Sequence, residues 1–229
     1  MNISSEILKK ISDKAPEYFN RSTVRNVFWF SGGIILFISG VILYGVILNI
    51  KEISLDESLK LKGIKKIEHP VLLIERKNYS LSLFEDTILI KTYRANFGRN
   101  VNTPKYKADD ESTPIGEYFI CSYDSVHKYH KFLMINYPNL EDAAEGLRKG
   151  LITQKEYDKI RYDFYFGSCP TIRTALGSNM GIHGIGEYNS IFKNLPFVFN
   201  WTTGSIAVTN EDIDEIYSVV KKGTKVVIK

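Results

Sequence analysis

The sequence predicts a mainly β, α+β domain of sandwich or barrel form, with a few helices, on a single N-terminal transmembrane helix. Three observations lead there. Residues 26–50 contain no charged side chain. From His69 onward, short runs of β-branched and aromatic residues recur between turn residues. The last twenty residues join one amphipathic helix to one closing strand.

The apolar stretch NVFWFSGGIILFISGVILYGVILNI comes first. A helix needs roughly 20 such residues to cross a bilayer core. Phe28, Trp29 and Phe30 cluster at its start, as interfacial anchors do. A buried core helix would show a polar face, and this stretch has none. A signal peptide would have a shorter apolar region and a small-residue cleavage site, which the stretch before Lys51 lacks. Lys9, Lys10, Lys14, Arg21 and Arg25 precede it, whereas Lys51, Glu52, Asp56 and Glu57 follow within a few residues. The charge bias places segment 1–25 in the cytoplasm and everything after residue 50 outside it. Residues 51–68, lysine-rich and charged, read as a solvated linker or short helix, and 69–229 as the folded domain.

Within that domain, VLLIE (71–75), YSLSLFE (79–85) and DTILIKTY (86–93) read as strands. Leu81 and Leu83 alternate with Ser80 and Ser82, the pattern of a half-buried strand, and Glu85-Asp86 supplies a hairpin turn. GEYFICSY (116–123) and KFLMINY (131–137) are further strands. Asn139 then caps a short helix that Gly150 stops, and Thr153 with Glu156 forms a capping box for the next. Near the end, Ile213, Ile216, Tyr217 and Val220 share one helical face, Gly223 ends that helix, and TKVVI is the last strand.

Composition excludes several functions. The formal net charge of +4, with both signs interspersed, gives no footprint for nucleic acid. The four histidines and two cysteines show no metal spacing, and no cofactor motif is present. Cys121 and Cys169 would lie in an oxidising compartment, where a disulfide is possible, although sequence does not say whether they meet.

The segments STPIGEYFI (112–120), INYPN (135–139), GIHGIG (181–186) and TTGSIAVTNEDIDEIYSVVKKGTKVVI (202–228) together resemble the L,D-transpeptidase catalytic domain, or YkuD domain, over roughly 70% of the chain. The family motif is a histidine followed by glycine, then about eighteen residues, then Ser/Thr-His-Gly-Cys. The histidine corresponds to His183, and the later positions correspond to Thr202, Thr203, Gly204 and Ser205. The chain departs from the motif at Thr203, at Ser205, and at Ala207, where the family often has Arg or Asn. The resemblance implies acyl transfer on peptidoglycan stem peptides in the bacterial envelope, with His183 as base and Ser205 in the nucleophile position. It also implies Gly204, Thr203 and Thr202 around them, and Gly184, Ala207 and Tyr137 touching substrate.

Read chemically, acyl transfer needs a nucleophile, a base within hydrogen-bond reach and donors for the oxyanion. His183 among small residues can serve as base, a Gly204-Ser205 turn can offer N–H groups, and Thr202 or Thr203 can orient the imidazole. A serine hydroxyl is far less acidic than a thiol, so it must lose its proton in the transition state. Three functions follow: an enzyme using Ser205, a catalytically silent peptidoglycan-binding module, or an enzyme whose nucleophile has moved to Cys169.

Overall fold

The computed structural model describes residues 20–50, 52–195 and 199–229, without side chains at 48–50. Most of the expected cytoplasmic segment therefore lies outside the described residues. Helix α1 (Arg21–Ile50) is long and apolar enough to cross a membrane over Arg21–Ile47. Its large apolar side chains face outward: Phe28, Trp29 and Phe30 are 70%, 70% and 73% exposed. A helix buried in a protein core would hide them, so that alternative fails.

Residues 51–54 separate α1 from α2 (Leu55–Leu61). Ser54 caps α2, its hydroxyl accepting the Glu57 N–H at 3.2 Å. Of the two readings for 51–68, a solvated linker or a short helix, the short helix is present; most of the segment is exposed, and a few residues dock it on the domain. Leu55 is buried, its N–H donates to Glu215 Oε1 at 2.9 Å, and Ile67 joins the main core. The amphipathic pair Leu55 and Leu59 was hidden from composition by the surrounding lysines.

Strands β1 (Pro70–Glu75), β2 (Ser80–Glu85) and β3 (Ile88–Arg94) form an antiparallel meander. Leu72, Ile74, Leu81 and Leu83 are wholly buried, as alternation requires. Asp86 turns the hairpin at φ 50°, a left-handed conformation that a short polar side chain tolerates. Next come β4 (Gly116–His127), β5 (His130–Ile135), β6 (Gly181–His183), β7 (Ile206–Ala207) and β8 (Lys225–Ile228). The spatial order is β3-β2-β1-β8-β4-β5-β6-β7. It is mixed, with β1 parallel to β8 and β6 parallel to β7.

β4 serves both halves. Gly116–Phe119 pair with β8 and Ile120–His127 with β5. Just past β3, Asn96 bridges to Ala207 and Gly98 to Thr202, so the first strands return to the last and the sheet closes like a barrel. The core inside it is built from Phe97, Ile120, Leu133, Ile135, Ile182 and Ile206.

Four further α-helices are found among the described residues. In α3 (Leu140–Arg148), Asn139 accepts two N–H bonds while Asp142 answers the Asn139 N–H. In α4 (Gln154–Tyr165), Thr153 and Glu156 form the reciprocal box. A one-turn helix α5 (Asn189–Phe192) follows β6. Helix α6 (Asn210–Val219) buries Ile213 and Ile216 against the sheet. A disulfide joins Cys121 on β4 to Cys169 beyond α4. It closes a loop with a sequence separation of 48 residues and fastens the segment after α4 to the sheet. Cross-linking removes disorder from the unfolded chain, which stabilises the fold.

Candidate active site

His183 is the last residue of β6, level with Phe132 on β5 and Ala207 on β7. It is 3% exposed. The Tyr129 ring stacks on the imidazole at 4.7 Å, the Phe132 ring lies 6.3 Å away and near parallel, and Trp201 meets it edge-on at 5.7 Å. Removing the imidazole from water disfavours its charged form and pushes its pKa down to about 4. The hydrogen bond to Gly184 opposes that shift, and His127 and Lys128 reinforce it. At neutral pH the ring is neutral.

Nδ1 lies 2.6 Å from the Gly184 carbonyl. A carbonyl only accepts, so Nδ1 carries the proton and Nε2 is left with a free lone pair. The loop beyond is held by the first residue of α6. Asn210 Oδ1 accepts the N–H groups of Ile185 and Gly186, each at 2.9 Å. The start of α6, capped by Thr209, therefore also fixes the chain that orients the imidazole.

The Trp201–Ser205 turn folds around Thr202. Its hydroxyl donates to the Ser205 carbonyl at 2.6 Å and accepts the Gly204 N–H at 3.2 Å. Its own carbonyl accepts the Arg99 N–H. Thr202 is thus fully engaged in shaping the turn and does not orient His183, contrary to the expectation from sequence. The Gly184 carbonyl does that work. Gly204 has φ 131°, and a Cβ there would lie 2.7 Å from the Ser112 carbonyl and 2.9 Å from Met180 Cε. Only glycine fits.

Ser205, half-buried, follows that glycine and immediately precedes β7. It shares a cleft of about 710 Å³ with His183, Thr203, Trp201, Tyr129 and Arg173. Among the described residues the Ser205 N–H is bonded to no acceptor, and the Ser205 hydroxyl and His183 are not hydrogen-bonded to each other.

The remaining sequence-predicted residues lie elsewhere. Tyr137 is 2% exposed, and its hydroxyl donates to the Leu176 carbonyl at 2.9 Å. It lines a separate pocket beside Asp142 and Lys105, so its place in the INYPN segment is structural. Ala207 is buried and exchanges backbone hydrogen bonds with Asn96 at 2.7 and 2.9 Å, which keeps it off the cleft. At Gly184 a Cβ would fall 2.6 Å from Asn210 Oδ1 and 2.7 Å from the Tyr129 carbonyl. That glycine permits this close packing, and its carbonyl holds the imidazole. Cys169 is in the disulfide and has no free thiol, which removes it as a relocated nucleophile.

Sequence reasoning missed the aromatic enclosure. Trp201 directly precedes the TTGS turn, and Tyr129 and Phe132 belong to the HKYHKF run joining β4 to β5. An aromatic run in a tight β-connection was the available signal.

The family model for the L,D-transpeptidase catalytic domain, YkuD, matches residues 69–228. No curated protein matches the chain. Among solved structures, Bd1075 of Bdellovibrio bacteriovorus is similar at 22% identity and TM-score 0.45, over 71% of this chain and 48% of that one. Pgp2 of Campylobacter jejuni, a helical cell shape determining protein, is similar at 17% identity and TM-score 0.46, over 77% of this chain and 55% of that one. L,D-transpeptidase 3 of Mycobacterium tuberculosis, in complex with a faropenem-derived adduct, is similar at 14% identity and TM-score 0.41, over 70% and 60%. The chain thus spans between about half and three fifths of the length of these proteins.

Proposed function

Since the chain belongs to the YkuD family of L,D-transpeptidase catalytic domains, we propose that it binds peptidoglycan stem peptides in the cleft and transfers their acyl group through Ser205. The supporting observation is the convergence in one cleft of Ser205, a neutral imidazole with a free Nε2, and an uncommitted Ser205 N–H. The steps follow from those positions. Ser205 Oγ attacks the carbonyl carbon of the penultimate stem residue while His183 Nε2 takes the hydroxyl proton. The Ser205 N–H donates to the developing oxyanion. The bond to the terminal D-residue breaks, His183 returns the proton to the leaving amine, and an ester is left on Ser205. An amine of a second stem, or water, then attacks that ester and frees Ser205.

An imidazole whose pKa burial holds at about 4 is a weak base for a serine hydroxyl, and slow turnover is the expected consequence. That property, with the lack of a Ser205–His183 hydrogen bond, favours one second reading: a stem-peptide-binding module without turnover. Intact-mass measurement of the full chain in detergent, after incubation with stem tetrapeptide, separates them. The expected product is a tripeptidyl adduct that Ser205→Ala abolishes. Binding without an adduct selects the module, and absence of both refutes the substrate.

Anchoring by α1 with the N-terminus in the cytoplasm is the second part of the proposal. It rests on the apolar helix and on the basic residues before it. A reporter that works only outside the cytoplasm, fused after Lys229, is expected to be active. Activity of a cytoplasm-only reporter at the same position would overturn the orientation.

A further inference from the structure

Any stem peptide carries carboxylates, yet the residue two beyond Ser205 is Ala207, uncharged and turned into the sheet. Positive charge in the cleft comes from Arg99, Lys128 and Arg173. Arg99 is spent on Glu111, 2.5 Å away. Lys128 lies over the Tyr129 ring at 4.6 Å. The remaining acid of the cleft, Asp124, accepts the Val126 N–H and shapes its own turn. Arg173 is exposed and has no carboxylate partner among the described residues.

Its backbone, by contrast, is fastened on every side. Two residues before it, the Thr171 N–H and hydroxyl both donate to Asp163 Oδ2 at 2.9 Å. Two residues after it, the Ala175 carbonyl accepts the Ala108 N–H at 2.7 Å. Cys169 ties the same segment to β4, and Met180 at its far end packs against Gly204. A guanidinium on a backbone already ordered spends no further backbone freedom on binding, and its planar fork matches a carboxylate through two parallel hydrogen bonds.

We infer that Arg173 is the specificity residue that holds a carboxylate of the stem peptide beside Ser205, the charge entering from the disulfide-tethered segment instead of from the strand that follows the nucleophile position. This inference rests on the stem-peptide reading above. The carboxylate has two sources, the terminal one on the leaving D-residue and the side-chain one of a diaminopimelate residue.

Affinity of the full chain in detergent is measured for three tetrapeptides: the free acid, its terminal carboxamide, and its side-chain carboxamide. For the unmodified chain, amidating the bound carboxylate is expected to weaken binding about 10- to 100-fold, as loss of a charge-assisted pair does. Whichever carboxamide shows that loss identifies the source. Arg173→Gln should weaken the free acid by the same factor and bind acid and that amide equally, while Arg173→Lys should fall between. If Arg173→Gln binds the acid as well as the unmodified chain does, or still discriminates the amide, the role of Arg173 is overturned and the substrate stands. If the unmodified chain binds none of the three peptides, both are overturned.

Discussion

Replacing Ser205 by cysteine is expected to raise the rate of acylation by stem peptide, or by a carbapenem, on the order of a thousand-fold or more, because a thiol is a few per cent thiolate near neutral pH and a serine hydroxyl supplies no comparable anion. The setting suits the change. Cysteine adds only a larger sulfur at a half-buried position, and Gly204 and Thr202 still hold the turn. With Cys121 and Cys169 bonded to each other, the new side chain is the single free thiol among the described residues. One labelling event therefore reports on it alone. Intact mass before and after carbapenem, for both forms, gives the result. A cysteine form that neither alkylates faster than an ordinary exposed thiol nor acylates would mean the cleft no longer carries out acyl transfer, and the binding module would stand.

The second large effect belongs to His183. In the cysteine form, His183→Ala should lower acylation by about 10²- to 10⁴-fold, the usual contribution of a positioned base. Stem-peptide affinity should stay within a few-fold, since the imidazole lies behind Tyr129 and Trp201. The pH profile tests the environment of the same ring. Its pKa is depressed, from an ordinary 6.5 to about 4, so the free base persists well below neutrality. In the serine form, whose hydroxyl does not titrate in this range, acylation should hold level from pH 7 to 5 and fall only as pH passes about 4. The linked stability has the same sign. The neutral ring's contribution is complete above about 6.5 and is lost as pH falls toward 4. An acid limb near 6.5 would show an imidazole open to water, contrary to the stacked enclosure.

Much of this was legible because it is local. Alternation in β1 and β2, the reciprocal cap of Thr153 and Glu156, and the Ile213–Ile216 face are written over a few residues each. The motif around His183 and Gly204 was legible because backbone constraints leave little choice of residue: no side chain fits at Gly204. What stayed hidden depends on distance along the chain. Closure of the sheet pairs Asn96 with Ala207, more than a hundred residues on, and neither residue announces it. Tyr137 reads as a cleft residue from its neighbours in sequence, whereas its hydroxyl is taken by Leu176. Thr202 offers a hydroxyl that reads as catalytic until its two partners inside the turn are seen. The pairing of Cys121 with Cys169 depends on β4 and the post-α4 segment meeting in space.

The docked helix α2 has a consequence for search. Between Ile50 and Leu55 the chain can stretch at most roughly 18 Å. Beyond that point Leu55 is fastened to Glu215 and no slack remains. With α1 in a bilayer, such a domain has no radius to explore on a leash. It pivots at a nearly constant height, and its excursions are those of its anchor drifting in the plane. On the proposed anchoring and substrate, encounters then depend on the number of stem peptides per unit area in the layer next to the membrane, and material farther out stays out of reach however concentrated it is.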